Sequence, residues 1–181
     1  MNRNTGTSKI KCSRILLRKI CLFDYFSASK WFTNPNIAIF SLSKKPPTKW
    51  EVFRLIFGRF RRYYNKSFYS WAIVYNGRMR GFIELLPLKN SKGSFSVSYK
   101  LDCELWGKGI STEALSAVID YAKTQDIAFL IGCCDKNNIG SKRVMEKAGM
   151  KAVGNEKTNK PIKYDDGTVA DSLYFKYSFN H

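Results

Sequence analysis

The sequence has a single histidine, His181, and it is the last residue. Hydrolases of the Ser-His-Asp or Cys-His kind use histidine as their base, and zinc sites are commonly built from closely spaced His and Cys. The five cysteines include the adjacent pair Cys133 and Cys134, which is not Cys-x-x-Cys spacing. A histidine-dependent hydrolase is therefore disfavoured, and we expect no metal site.

Long hydrophobic runs are also missing. No apolar stretch approaches the roughly 18 to 20 residues that cross a bilayer, and no signal-peptide core follows the polar, basic start of the chain. An odd number of cysteines, in a chain of 181 residues that can form a core without disulfides, favours a reducing compartment. We therefore expect a cytoplasmic protein that does not enter a membrane.

Acidic residues are scarce. There are 14 Asp and Glu against 31 Lys and Arg, a net charge of +17, which creates a positive surface potential and favours anionic partners. Nucleotide phosphates, RNA or a ribosome-bound substrate would fit, DNA is not expected, and a basic solvated surface without a specific partner is the alternative. The length predicts one domain, residues 13–181, after a flexible basic arm, residues 1–12.

The hydrophobic pattern changes period along the chain. Strong local signals are the capping box formed by Thr48 and Glu51, which predicts a helix from about Lys49, and Asn76-Gly77, which predicts a tight hairpin. Helices are predicted over 22–32, after Gly109, and from 138 to 149. Strands are predicted over 13–19, 68–75, 78–88, 94–101, 127–133 and 172–179.

The segment from Tyr99 to Ala114 joins a strand to a helix through Trp-Gly-Lys-Gly, residues 106–109. Glycine lets the backbone approach a ligand and adopt positive φ, and the first N–H groups of a helix lack internal partners, so such a turn can bind a pyrophosphate. Lys108 adds positive charge. A Gly-x-Gly pair alone is a weak signal, and this one lacks the third glycine of a dinucleotide-binding turn and the Gly-Lys-Ser/Thr of a nucleotide-triphosphate loop.

Together with its Thr-Glu-Ala continuation, this segment resembles the acetyl-CoA motif of the GNAT superfamily, especially its ribosomal-protein N-terminal acetyltransferases. A second block, Asn137 to Met150, is similar to that family's next motif. The resemblance implies an acetyl-CoA-dependent N-acetyltransferase with an α+β fold. Its mixed, mostly antiparallel sheet of six or seven strands would be splayed at the middle, between Leu101 and the strand 127–133, and flanked by about four helices.

The resemblance also implies which residues bind the cofactor. Backbone amides from Gly107 to Thr112 would hold the pyrophosphate, and Leu101 and its neighbours would pair with the pantetheine arm. The full set of expected cofactor-binding residues is Leu101, Leu105, Trp106, Gly107, Lys108, Gly109, Ile110, Ser111, Thr112, Asn138 and Ser141. Asn138 would contact the cofactor, fix the diverging strand or cap the helix that follows it.

The catalytic groups are less clear, because the two carboxylates common in relatives are replaced by Ser96 and Cys133. Glu84 is the nearest substitute for a base, since burial in an apolar strand could raise its pKa; the alternative is an outward position on that strand. Ser141 is the candidate for a contact to the pantetheine or the thiolate, or else it only completes the helix cap. Tyr99 is either part of this region or core packing.

Two other functions stay open. A basic RNA-binding module is suggested by residues 59–64, Arg-Phe-Arg-Arg-Tyr-Tyr, in which cationic and aromatic side chains alternate. A GNAT fold that binds CoA without catalysis is suggested by Ser96 and Cys133. For an active enzyme the acceptor would be a primary amine, on a protein N-terminus such as that of a ribosomal protein or on a small molecule, and the protein a monomer or homodimer.

Overall fold

The structure, a computed structural model, describes residues 6–65, 68–89, 91–154 and 160–179. Its centre is an eight-stranded sheet in the order β1-β2-β3-β4-β5-β6-β10-β7, with a separate β8-β9 hairpin. The strands are β1 (Ile10–Lys11), β2 (Leu16–Arg18), β3 (Tyr69–Tyr75), β4 (Arg78–Pro87), β5 (Ser94–Leu101), β6 (Phe129–Asp135), β7 (Lys151–Val153), β8 (Ile162–Lys163), β9 (Val169–Ala170) and β10 (Ser172–Ser178). The pairings in the large sheet are antiparallel except for β5 with β6, which is parallel.

Helices cover both faces of this sheet. They are α1 (Tyr25–Trp31), α2 (Pro35–Ala38), α3 (Lys49–Arg62), α4 (Ile110–Lys123) and α5 (Ile139–Lys147). One buried cluster joins the sheet to α4 and α5, and a second joins it to α1, α2 and α3. Strand β3 is buried along almost its whole length because both of its faces are covered. Within the described residues no helix is long and apolar enough to cross a membrane.

The strongest local signals are confirmed. The Thr48 side chain accepts from the Glu51 N–H while Glu51 accepts from the Thr48 N–H, and α3 begins at Lys49 as predicted. Asn76 and Gly77 have φ of 49° and 73°, the left-handed geometry that a two-residue hairpin requires. The mixed, mostly antiparallel sheet is also confirmed.

Several boundaries and counts differ from the expectation. The sheet has eight strands instead of six or seven because the short edge strands β1 and β7 join it, and α2 is an additional short helix. The predicted helix 22–32 begins as a 3-10 turn, and its α-helical part starts at Tyr25. There the Asp24 carboxylate accepts from Arg18 and from the Cys21 N–H, so a side-chain network shapes this start.

Part of the predicted flexible arm, residues 1–12, is attached to the sheet. Ile10–Lys11 pairs with β2, and the buried Thr7 hydroxyl donates to the Phe68 carbonyl at 3.1 Å and accepts from the Ser70 N–H at 2.9 Å. In the structure these residues therefore belong to the edge of the sheet. Residues 1–5 of the arm, and His181, lie outside the described residues.

Candidate active site

Strands β5 and β6 separate along their length. They pair only through residues 94–97 and 129–132, although β5 continues to Leu101 and β6 to Asp135. Residues 98–101 of β5 remain paired with β4 on the other side. Backbone N–H and C=O groups on the inner edges of the two strands therefore face an opening that no third strand fills in the described chain. The predicted split in the sheet is present.

The turn that leads from β5 to α4 has the geometry of an anion site. Gly107 and Gly109 both have φ of 75°, a left-handed conformation that glycine adopts without strain. Gly109 is the N-cap of α4, and no side chain among the described residues caps that end of the helix. The N–H groups of the first turn are thus available to an anion, which the positive end of the helix dipole also favours.

The other residues predicted in this turn divide into two groups. Leu101, Leu105 and Ile110 are buried and anchor the turn in the core. Trp106 is half exposed, and its indole N–H donates to the Leu101 carbonyl at 2.9 Å, so this side chain closes the turn back onto β5. Lys108 is exposed, and Ser111 and Thr112 are half-buried at the start of α4.

A further residue, Arg14, holds this turn in place. Its Nε donates to Glu113 at 2.8 Å, its backbone N–H donates to the same carboxylate at 2.8 Å, and its Nη1 donates to the Lys108 carbonyl at 2.7 Å. The sequence analysis did not identify Arg14 because its partners lie more than 90 residues away. The sequence did contain one hint of such a contact, because the charged residue Glu113 lies inside the Thr-Glu-Ala motif and can pair with a basic residue.

Ser141 and Tyr99 meet beside the split. The Ser141 Oγ and Tyr99 hydroxyl oxygens are 2.9 Å apart, and the Tyr99 hydroxyl also donates to the Ser141 carbonyl at 3.2 Å. Burial raises the pKa of Tyr99, so it stays a neutral donor. Cys134 of β6 lies on this side too, and burial raises the pKa of its thiol to about 11. Ser141 thus lies close to side chains from both strands that diverge.

Asn138 has the capping role that was one of its predicted options. Its side-chain oxygen accepts from the Ser141 N–H at 2.9 Å, and α5 begins at the next residue, Ile139. The bond uses the backbone N–H of Ser141 and not its hydroxyl, which contacts Tyr99. Asn138 therefore fixes the position of Ser141 at the first turn of α5.

Glu84 lies on the opposite face of the sheet, toward α3. Its carboxylate is buried and accepts from Arg59 at 2.8 and 3.0 Å. It is therefore not the outward residue of the alternative interpretation. A carboxylate held by two charge-assisted hydrogen bonds can take a proton from an amine only by weakening those bonds. The ion pair with Arg59 therefore makes Glu84 a poor candidate for the base.

The face of the split toward α1–α3 contains polar groups that sequence reasoning missed. Lys100 of β5 donates to Ser41 and lies 5.2 Å from the ring centre of Phe32; burial and the nearby Arg59 lower its pKa. Asp135, at the end of β6, is buried and accepts from the Tyr164 hydroxyl. An acidic residue directly after an apolar strand was the signal available in the sequence.

A segment that we call the strap, residues 39–45, connects the two sides of this face. Ser41 accepts from Lys100 on the β5 side. On the β6 side, the Leu42 carbonyl accepts from the Asp165 N–H at 2.9 Å, and the Lys44 ammonium lies 4.1 Å from the centre of the Tyr164 ring. The strap and the β8-β9 hairpin therefore form a wall opposite α4 and α5.

The fold and this site define an acyltransferase that uses a CoA thioester. A family model described as the acetyltransferase (GNAT) domain matches residues 14–151. The chain therefore belongs to the GNAT acetyltransferase family. It is an acetyltransferase and its acyl donor is acetyl-CoA. No match was found among curated proteins.

Solved structures share the fold at low identity. The RimL ribosomal-protein alpha-N-acetyltransferase in complex with coenzyme A is 18% identical, with a TM-score of 0.81, over 95% of this chain and 98% of that chain. A Salmonella typhimurium acetyl transferase that modifies the N-terminal serine of a 50S ribosomal subunit protein is 18% identical, with a TM-score of 0.79, over 96% and 100%. The microcin self-immunity acetyltransferase MccE, in complex with acetyl-CoA and AMP, is 16% identical, with a TM-score of 0.80, over 92% and 93%.

Proposed function

We propose that this acetyltransferase transfers the acetyl group of acetyl-CoA to a free α-amino group at the N-terminus of a protein, and that a ribosomal protein is its acceptor. The observation that carries acetyl transfer is the opening between β5 and β6 beside the uncapped start of α4. Support for the acceptor comes from the two similar structures of ribosomal-protein acetyltransferases. The five cysteines are free, which fits an enzyme that works in the cytoplasm.

In this proposal the turn at residues 107–112 binds the pyrophosphate through its backbone N–H groups, with Lys108 adding charge. Arg14 and Glu113 hold the turn against the body of the protein. The inner edge of β5 up to Leu101 pairs with the amide groups of the pantetheine arm, as an added strand would. Leu105 and Ile110 position the turn from below, because both are buried.

When bound, acetyl-CoA supplies a thioester whose carbonyl carbon an amine can attack, with release of the coenzyme as a thiol. Free N–H groups in the split hold the carbonyl oxygen as it gains negative charge. The acceptor would first lose its ammonium proton to water. As the neutral amine attacks, the Ser141 hydroxyl would give its proton to the departing sulfur and take up the proton that the amine nitrogen loses, while Tyr99 keeps Ser141 oriented through its 2.9 Å contact. Glu84 keeps Arg59 in place and does not take the proton of the amine.

The acceptor enters from the face that carries the strap. There the buried Asp135 carboxylate attracts the protonated amine, and Tyr164 fixes its orientation. The strap and the β8-β9 hairpin border this approach, and in this proposal they favour a narrow, extended chain terminus over wider substrates. A free polycation would also be repelled by the net charge of +17.

Thermal unfolding with and without acetyl-CoA, followed by thiol release with a panel of amines, tests this function. Binding to the folded state at a hundredfold over Kd stabilises it by about 2.7 kcal/mol. We expect stabilisation, and faster turnover with peptides that have a free N-terminus than with the same peptides blocked at the N-terminus, a polyamine or an aminoglycoside. Stabilisation without turnover would instead identify a cofactor-binding fold without catalysis, and faster turnover of a small amine would overturn the protein acceptor.

A further inference from the structure

Helix α3 has an apolar face that the core does not use. Val52 and Ile56 are buried, but four aromatic side chains on another side of the helix are exposed by 65%, 36%, 40% and 43%. We call them the aromatic stripe: Trp50, Phe53, Phe57 and Phe60. Their spacing of three or four residues aligns them along one line of the helix. Exposed aromatic groups in a continuous row are uncommon on a monomer and mark an interaction site.

Three rings of the aromatic stripe are stacked one after another along the helix. The centroids of Trp50 and Phe53 are 5.3 Å apart at 19° between planes, and those of Phe53 and Phe57 are 6.0 Å apart at 11°. Tyr25 of α1 contacts Phe53 edge-on at 5.8 Å. Phe26 of α1 is exposed as well and contacts Tyr25. The aromatic surface therefore continues from α3 onto α1.

The charges around the stripe are positive. Four cations belong to the same helix: Lys49, Arg54, Arg61 and Arg62. None of them forms an ion pair in the part of the chain that the structure describes. The one acidic residue of α3, Glu51, is bound in the capping box. The helix thus presents cations beside aromatic rings, and its single carboxylate, Glu51, lies near Arg54 but is hydrogen-bonded within the capping box.

The sequence had placed a basic and aromatic cluster at residues 59–64, and the structure divides it. Arg59 is paired with Glu84, and the Tyr63 hydroxyl donates to the Ser70 carbonyl at 2.7 Å. Those two side chains are committed to the interior. The surface that combines charge with exposed rings is instead formed by the aromatic stripe with Arg54 and Arg61.

We propose that this surface binds single-stranded RNA. Its cations match a phosphate backbone, and aromatic side chains provide platforms for bases whatever their sequence. A second copy of the chain would bring the same cations against these ones, since both carry +17. RNA commonly offers unpaired bases in loops and ends. This activity goes beyond acetyl transfer and does not depend on it.

Fluorescence anisotropy with a labelled 16-nucleotide unstructured RNA tests the proposal. We expect binding that weakens steeply with salt, as phosphate contacts require. The variant Trp50→Ala/Phe57→Ala should bind at least tenfold more weakly, because base stacking is lost. The variant Arg54→Glu/Arg61→Glu should lose at least as much, whereas Lys147→Glu/Lys151→Glu, which makes the same charge change at exposed positions around α5 and β7, should change affinity less than threefold.

Three results would overturn the proposal. The first is a lack of specific binding: either no RNA binding is detected at low salt, or the affinity for RNA falls equally in the control variant and in Arg54→Glu/Arg61→Glu. The second is binding to vesicles with anionic lipids that Trp50→Ala/Phe57→Ala removes while RNA binding stays, since the surface would then be a membrane contact. The third is a dimer, measured by sedimentation, that the same variant dissociates. The unfolding temperature and the acetylation of a peptide report whether each variant remains folded and active.

Discussion

The two faces of the central sheet reach their functional geometry in different ways. On the face of α4 and α5, the groups expected to bind the cofactor are backbone N–H groups of the turn at residues 106–112, and the cap at residues 138–141 is a contact within one motif. Arg14 and Tyr99 reach these two motifs from distant parts of the chain. On the face of α1–α3, the site consists of side chains that meet from distant parts of the chain, such as Arg59 with Glu84 and Lys100 with Ser41. A cofactor side built from backbone tolerates sequence change, whereas an acceptor side built from side chains can be altered singly.

The largest effect should come from breaking the ion pair of Glu84 with Arg59 on the acceptor side, and it should be a loss of stability. We expect Glu84→Gln to lower the free energy of unfolding by about 3 kcal/mol, because it leaves Arg59 partly buried with a neutral partner. Chemical denaturation measures this loss. The double change Arg59→Met/Glu84→Leu removes both charges and should recover most of the stability, with kcat within about threefold of the original at a temperature where both fold. If Glu84 were the base, the double variant would stay inactive although stable.

The next effect concerns Ser141 on the cofactor side. We expect Ser141→Ala to lower kcat about a hundredfold, a usual size for loss of a general acid, with little change in the KM for acetyl-CoA. Because the Asn138 cap uses the Ser141 N–H, this variant keeps the cap. Tyr99→Phe removes the same side-chain contact but leaves the serine hydroxyl, and it should cost less than tenfold. Equal losses in the two variants would reduce Ser141 to a packing role.

A smaller effect should distinguish backbone strain from cofactor contact. Gly107 and Gly77 have φ of 75° and 73°, and a Cβ added at either would meet no atom of the described part of the chain within 4 Å. Alanine at either position therefore costs roughly 1–2 kcal/mol from the left-handed backbone alone. We expect similar losses of stability from both, but a rise of about tenfold in the KM for acetyl-CoA only for Gly107→Ala. Initial-rate kinetics measure the KM for acetyl-CoA of both variants. Equal KM values would contradict the placement of the cofactor at the turn that contains Gly107.

The smallest effect should come from Asn138. Loss of the cap in Asn138→Ala should lower stability by about 1 kcal/mol, and Asn34→Ala, which removes the matching cap of α2, is the control. If Asn138 acts through the cap alone, its KM for acetyl-CoA should rise by less than threefold. A larger rise, seen in saturation kinetics and not in the control, would mean that the side chain also contacts the cofactor.

Local signals predicted much of this molecule. The start of α3 at Lys49 follows from a side-chain exchange between Thr48 and Glu51, and the hairpin at 76–77 follows from the backbone freedom of Asn-Gly, so each needs only adjacent residues. The helix after Gly109 and the strands of the middle of the chain were found from periodicity within a few residues of their ends. In these segments local preference and tertiary packing agree.

The remainder depends on contacts between distant segments. Arg14 reaches Glu113, and the strap reaches both Lys100 and the β8-β9 hairpin; no pattern within one segment specifies such pairs. The edge strand β1 is two residues long, too short for a period to be visible. Glu84 was correctly placed in a strand, but the partner that holds its carboxylate comes from a helix 25 residues earlier.

The parallel contact between β5 and β6 is four residue pairs long, and beyond it the two strands are no longer paired with each other. A ligand that lies there must carry its own amide groups at the spacing of a peptide to satisfy the unpaired edges. The length of the donor then matters as much as its reactive end. Acetyl thioesters of short thiols, which have the same electrophile but no arm, would lack these bonds and would be poor donors.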